Sequence, residues 1–264
     1  MSIARILIIA GSDSGGGAGI QADIKTVTLL GGHAMTAITA LTAQNTLGVT
    51  AVHAVPADMV IAQIDAVASD IGVDAIKIGM IGSAEIVEAV ADRLDRPDLA
   101  AVPLVFDPVM IATSGSRLAD EATIAAFGRL MRRAAVSTPN LDELAALSGA
   151  PLRDEAAITH AAVRLIGQGS GPILATGTGI PRGRLTDLLF DAGDEPQSWQ
   201  AERIDTIHDH GTGCTLASGI ATGLGQGMTL ADAIGRARDF VRAALLAAPG
   251  LGQGHGPMGH RAIG

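Results

Sequence analysis

Short apolar runs rich in β-branched residues alternate with Ala-rich stretches of helical length along the whole chain, and this alternation constrains the fold more than any other feature. Residues 6–10, 34–41, 75–78, 104–106, 136–138 and 173–175 read as strands. Stretches 18–30, 58–71, 83–94, 121–132, 142–148 and 156–167 read as helices, with Ser83 placed to cap the third. Residues 188–191 and 199–203 read as a hairpin, and 212–224 and 230–247 as two closing helices. Strands alternating with helices predict an α/β fold, a mostly parallel central sheet covered by helices on both faces. Ligands of such sheets bind beyond the carboxyl ends of the strands, so the loops there carry the chemistry. The glycine-rich segment 250–264 is expected to be partly mobile.

Composition narrows the function classes. Apolar residues make up 48% of the chain, enough for a substantial core, but aromatics are only 2%. Ala, Leu, Ile and Val must therefore fill the interior, and a reader that stacks nucleic-acid bases on aromatic rings is disfavoured. A net charge of −9 gives no electrostatic footprint for DNA or RNA. The single cysteine, Cys214, forms no internal disulfide, which suits a reducing compartment. The first ten residues run straight into Gly-Ser-Asp with no cleavage site and read as a buried strand, not a signal peptide. No apolar run reaches membrane-spanning length, and the expected location is the cytoplasm.

The first strand leads into Gly11-Ser-Asp-Ser-Gly-Gly-Gly-Ala-Gly19, but the spacing is not G-x-G-x-x-G. No acidic residue lies between Asp23 and Asp58 to hold a ribose, so a dinucleotide fold is not indicated. A P-loop is excluded because neither lysine, Lys25 or Lys77, follows a glycine. Phosphate chemistry would have to use a helix N-terminus, metal and perhaps arginine. His210-Gly-Thr-Gly-Cys-Thr215 opens an Ala/Gly-rich helix and supplies such a terminus: glycines admit an anion closely, and free N–H groups face it. A cysteine in that first turn is expected to have a lowered pKa. The alternative is an inert thiol beside a glycine turn.

Seven motifs in order extend this picture. They are the segment 10–25 with its glycine loop, Met35-Thr-Ala-Ile-Thr-Ala-Leu-Thr-Ala-Gln-Asn45, Lys77-Ile-Gly-Met80 and Asp107-Pro-Val-Met110. Thr138-Pro-Asn140 with Glu143, Gly211-Thr-Gly-Cys214 and Gly254-His-Gly-Pro257 complete the series. Together they resemble the hydroxymethylpyrimidine/phosphomethylpyrimidine kinases of thiamine biosynthesis, in the ribokinase-like superfamily, nearly end to end. The resemblance implies one ribokinase-like domain over residues 1–264, ATP and Mg2+ as cofactors, and a homodimer. It also implies two phosphorylations, of a hydroxymethylpyrimidine and then of its monophosphate.

The same resemblance assigns roles. Gly211, Thr212, Gly213 and Cys214 form the anion hole, with Cys214 as the base where many relatives have Asp. Gln44 is the pyrimidine-binding amide, its donor and acceptor matching an aminopyrimidine edge, against a loop glutamine bonded to backbone. Asp23 contacts the substrate or pairs with a neighbour; Met80 packs on the ring or fills the core; Gly11 admits the substrate. Asp107 and Glu143 are metal candidates, and Asn140, Thr176, Thr178 and Gly213 are nucleotide-binding candidates. The N-x-x-E pattern of Asn140 and Glu143 also fits a simple helix cap. His208, His210 and His255 receive no catalytic role. One departure stands out. Thr176-Gly-Thr-Gly179 replaces the Lys-Gly-Gly-His of many relatives, leaving Arg182 or Arg184 as nearby cations. The alternatives are a pyridoxal kinase of the same superfamily and a pyrimidine-binding protein without activity.

Overall fold

The computed structural model describes residues 3–111, 115, 118–179 and 183–263. In chain order the elements are β1 (Arg5–Asp13), α1 (Gly19–Leu29), β2 (His33–Asn45), β3 (Gly48–Ala54), α2 (Ala57–Asp70), β4 (Ala75–Ile78), α3 (Ala84–Leu94) and β5 (Leu104–Phe106). Then come α4 (Glu121–Arg133), β6 (Val136–Ser137), α5 (Leu141–Ser148), α6 (Glu155–Gly167), β7 (Ile173–Ala175), β8 (Arg184–Phe190), β9 (Gln197–Glu202), α7 (Thr212–Gly225) and α8 (Leu230–Leu246). A short 3-10 turn, His260–Ile263, follows.

The strands form one sheet in the order β3-β2-β1-β4-β5-β6-β7-β8-β9. β2, β1, β4, β5, β6 and β7 run parallel; β3, and the β8–β9 hairpin at the other edge, are antiparallel to their neighbours. Period-two alternation sorts the strand side chains between two cores. Leu7, Ile9, Ile76, Ile78, Leu104 and Phe106 face one side and pack with α2 to α6. Ile6, Ile8, Ala10, Ala75 and Val105 face the other and pack with α1, α7 and α8.

Most elements lie where the apolar pattern puts them, and Ser83 caps α3 by accepting from the Ile86 amide. Two regions differ. β2 runs four residues further than its apolar run and pairs with β3, which the pattern does not reveal. β3 is mostly exposed on both faces and so lacks a buried stripe. The tail is tied down rather than loose. The amides of Gln253 and Gly254 donate to Thr46 Oγ1, Gly256 accepts from the His210 amide, and Gly259 donates to Ala244. No helix among the described residues is long and apolar enough to cross a membrane.

The helix that carries Cys214 is buried almost all round from Thr215 to Gly223. It approaches α8 closely because two of its contact positions lack side chains. A Cβ on Gly223 would lie 2.6 Å from that of Ala233, and one on Gly219 would lie 2.8 Å from that of Ala237. Gly223→Val should therefore overpack this contact and cost about 1–3 kcal/mol. Urea unfolding should show a lower midpoint with an unchanged slope; an unshifted midpoint would contradict the close packing.

Candidate active site

The chain leaves β1 to form α1 on one face of the sheet and leaves β4 to form α3 on the other. Adjacent parallel strands whose connections part in this way open a crevice at their carboxyl ends. Gly11 and Met80 meet there: a Cβ on Gly11 would lie 2.6 Å from Met80 Cε. A side chain at position 11 would displace the end of that methionine.

The glycine loop after β1 is knotted around Asp13. Its Oδ1 accepts from the Gly15 amide at 2.8 Å, and its Oδ2 accepts from the amides of Gly17 and Ala18 at 3.0 and 2.8 Å. Oδ2 also lies 3.0 Å from His210 Nε2. Burial pushes the Asp13 carboxyl up, but the His210 ring and the Ala18 and Gly15 amides outweigh it and hold the group below the ordinary carboxylate range. Ser14 Oγ donates to the Gln44 carbonyl and accepts from the Gln44 amide, binding the loop to the end of β2. The Gln44 side chain, half-buried, lies between Thr42 Oγ1 at 3.1 Å and His210 Nε2 at 3.2 Å.

His210 leads directly into α7. Gly211 takes a left-handed conformation, φ 88°, and a Cβ on it would collide with the Gly17 carbonyl, so the glycine loop and the start of α7 interlock through two glycines. Thr212 donates its amide to Asp209, whereas Gly213 and Cys214 stand in the first turn, where N–H groups have no acceptor within the helix. Gly213 faces the end of β5: a Cβ there would lie 3.8 Å from Asp107 Oδ2.

Beneath this turn lies a group of buried charges. Lys77 points from β4 toward α1 and α7 and is fully buried. Its Nζ donates to both oxygens of Asp23 at 3.0 Å, and Ser218 Oγ donates to Asp23 Oδ1 at 2.6 Å. Asp23, also fully buried, pairs with a neighbour, the second of the two readings open to it from sequence. Burial works against the charge on Lys77, but Asp23, Cys214 and Asp107 outweigh it and raise its pKa.

The expectation of an acidified Cys214 is reversed. Burial pushes the thiol up to about 12, and the negative charges of Asp23 and Asp107 add to it against the pull of Lys77. Helix-end effects fade within a turn and amount to about 0.3–1 kcal/mol at exposed sites, which is small beside desolvation. Burial also raises Asp107 to about 6, with Asp23 adding and Lys77 opposing. Glu143 rises to about 8, first through burial and then through Asp107.

Asn140 and Glu143 form a full capping box at the start of α5. Asn140 Oδ1 accepts from the Glu143 amide and Glu143 Oε2 from the Asn140 amide, both at 2.9 Å. The N-x-x-E pattern is a helix cap here, yet its glutamate is buried near Asp107. Two buried carboxyls, both with raised pKa and Asp107 adding to the rise of Glu143, one with its Oδ2 lacking any hydrogen-bond partner among the described residues, suit a cation. No cluster of three or more His, Cys, Asp or Glu that could hold a metal occurs among those residues. A pair of carboxylates fits magnesium, which retains waters and binds through one or two carboxylates plus phosphate.

Thr176 and Thr178 follow β7. Thr176 pairs with Asn140 through a parallel bridge and donates its amide to Pro139. Thr178 is buried and its hydroxyl donates to the Thr186 carbonyl at 3.1 Å, so that proton serves the β7–β8 connection and is not offered to a nucleotide. Arg184 is exposed; Arg182 lies outside the described residues. His255 pairs with Asp209. Asp13, Thr42 and Lys77 lie in this region without having been assigned a role from sequence, and His210, given no catalytic role there, takes part through hydrogen bonds. An Asp inside a Gly/Ser loop and a lysine inside an apolar strand were the available signals.

Two measurements check this electrostatic description. Lys77→Met strands a buried carboxylate and should cost about 3–5 kcal/mol in urea unfolding, with part recovered in the Lys77→Met/Asp23→Leu double variant. No recovery would mean that the two groups do not act as a pair. Alkylation of Cys214 in the free protein should be about three orders of magnitude slower at pH 8 than that of an ordinary cysteine, because the thiolate is so rare. Its rate should climb tenfold per pH unit beyond pH 9; a plateau near neutrality would show a thiolate instead.

Comparison with known proteins places this arrangement. The phosphomethylpyrimidine kinase family model matches residues 13–259. The hydroxymethylpyrimidine/phosphomethylpyrimidine kinase of Rhizobium meliloti is 48% identical over 258 residues, covering 96% of each protein. The thiamine biosynthesis bifunctional protein ThiED of Geobacter sulfurreducens is 47% identical over 256 residues; the match covers 97% of this chain but spans about half, 52%, of that protein. Among solved structures, an ADP complex of Bacillus subtilis pyridoxal kinase superposes with a TM-score of 0.89 at 33% identity, covering 99% of each chain. The chain belongs to the phosphomethylpyrimidine kinase family of ribokinase-like kinases.

Proposed function

We propose that this kinase transfers a phosphoryl group from ATP to the hydroxymethyl group of 4-amino-5-hydroxymethyl-2-methylpyrimidine and then to the monophosphate, in thiamine biosynthesis. The observation that carries this reading is the interlock of two half-sites. The Gly11–Gln44–Met80 crevice, suited to a small polar ring, joins the first turn of α7 through His210 and Gly17. An acceptor hydroxyl on that ring and a donor phosphate at the helix N-terminus then come together.

Gly11 admits the ring, Met80 packs on it and Gln44 reads its amino edge. Gly211 and Thr212 shape the turn, while the amides of Gly213 and Cys214 face the charge spread over the transferred oxygens. Asn140 and Thr176 border the nucleotide side, and Asp107 and Glu143 would hold Mg2+. The metal would supply charge neutralisation at the phosphates. In the free protein Cys214 is a thiol, so it receives the substrate hydroxyl proton only if the loaded site offsets its burial, with Lys77 and the helix amides as this chain's own contributions. A loose phosphoryl-transfer transition state asks for little base assistance early, which suits a weakly acidic group. The family resemblance extends the proposal to one catalytic domain over residues 1–264 acting as a cytoplasmic homodimer.

A second reading, phosphorylation of pyridoxal, rests on the 0.89 TM-score to the Bacillus subtilis pyridoxal kinase. Mass analysis after incubation with Mg-ATP and each candidate substrate separates the two. Sequential mono- and diphosphates of the pyrimidine are expected, and Cys214→Ala should slow their formation at least tenfold while sparing pyrimidine affinity. Preference for pyridoxal would favour the second reading, and unchanged turnover in Cys214→Ala would remove its role as base.

A further inference from the structure

The contacts around Gln44 conflict if its carboxamide is taken with the amide nitrogen toward His210. Asp13 accepts three backbone N–H groups through its two oxygens and so acts as a carboxylate. A ring nitrogen 3.0 Å from Oδ2 must then carry a proton, since a bare nitrogen would set its lone pair against an anion. That same nitrogen lies 3.2 Å from the Gln44 amide end. With an NH2 group there, two donors face each other. On the opposite side, Thr42 gives its single hydroxyl proton to the Ser12 carbonyl at 2.9 Å, leaving its oxygen as an acceptor toward Gln44 at 3.1 Å. Both contacts become favourable when the carboxamide is turned over: the single His210 Nε2–H is shared in a three-centre bond between Asp13 Oδ2 and the Gln44 carbonyl oxygen, and the Gln44 NH2 donates to Thr42. Carboxamide orientation is decided by such networks.

We propose that His210, held by Asp13, is a positioning residue that sets the polarity of the Gln44 carboxamide and so determines which pyrimidine edge the site accepts. A carboxamide has two N–H donors and two oxygen lone pairs. The protein uses one of each, and one of each remains, with the acceptor on the His210 side and the donor on the Thr42 side. This remaining pair complements an exocyclic amino group next to an unprotonated ring nitrogen. It opposes the 4-oxo analogue, which presents a carbonyl and a ring N–H in those places. The inference rests on the pyrimidine reading above and adds to it the origin of the choice between amino and oxo rings.

Two measurements test it. Ring 15N spectra of His210 in the wild-type protein should show the proton on Nε2; a bare Nε2 would overturn the proposal. In kinetics, the ratio of kcat/KM for the 4-amino substrate over its 4-oxo analogue should fall roughly tenfold or more in His210→Asn, whose shorter side chain releases Gln44 to turn. The loss should appear mainly in KM for the 4-amino compound. Parallel losses for both rings, leaving the ratio unchanged, would show a merely structural histidine and sink the idea. Should His210→Asn fail to fold, the ring spectra decide alone. Should the wild-type protein phosphorylate neither pyrimidine, the functional reading fails, while the spectra still decide whether His210 orients Gln44.

Discussion

The buried contact of Lys77 with Asp23 and Ser218 is the interaction on which the site's construction depends. It joins β4, inside the sheet, to the two helices that follow the glycine loop and the Gly211–Cys214 turn. Its placement follows from strand parity. Ile76 and Ile78 face the α2–α6 core, so Lys77 between them must face α1 and α7. A lone lysine there would be lost to desolvation, and a lone aspartate likewise; each is tolerated because the other is present. The pair also supplies a buried positive charge near Cys214 and Asp107, so the electrostatics of the candidate site start from a structural ion pair.

Above that base the crevice is made from backbone rather than from large side chains. Gly11 makes way for Met80, Gly17 for His210, and Gly211 for the Gly17 carbonyl. A chain so poor in aromatic residues cannot enclose a ring with other rings. It brings strand ends and loop backbone close instead, then orients a few polar groups with hydrogen bonds. Asp13 is central to this economy, because one carboxylate organises three loop amides and the ring that meets Gln44.

The sheet and its helices were legible because nearly every element has a buried stripe of the right period. β3 was not, since it has no buried face and is held by pairing with β2 alone. The site was legible in part. Glycines and the His210–Thr215 turn mark a phosphate-binding helix start on physical grounds, and family likeness supplied Gln44, Met80 and Asp107. What one-dimensional reading could not weigh was depth. Asp23, polar and near the loop, reads as a ligand until its full burial against Lys77 is seen. Cys214 reads as acidified until desolvation is set against the helix end. Thr178 reads as a nucleotide contact until its hydroxyl is found bonded to β8. Burial and pairing, properties of the assembled chain, thus bear on inferences drawn from local pattern, and for the Cys214 thiol they reverse the expected direction.

The threonine at position 176 bears on how the donor phosphates are neutralised. The loop that follows β7 is organised by Asp187, which accepts from the Gly177 amide at 2.7 Å and from Arg238 Nε at 2.6 Å. Arg238, held beside that loop through Asp187, is thus already engaged by a buried carboxylate. Lys25 donates to the Gly16 carbonyl on the other side of the crevice, and Lys77 is enclosed. Among the described residues, then, Arg238 and Lys77 are engaged elsewhere and Arg184 stands exposed at the start of β8. In the proposed reaction the first turn of α7 and whatever Asp107 and Glu143 bind supply neutralising charge. A helix terminus and a pair of carboxylates with raised pKa values are sufficient in kind for that task, because the first attracts phosphate directly and the second gains affinity for a cation as its protons leave. In the proposed reaction Thr176 therefore leaves this work to metal and backbone.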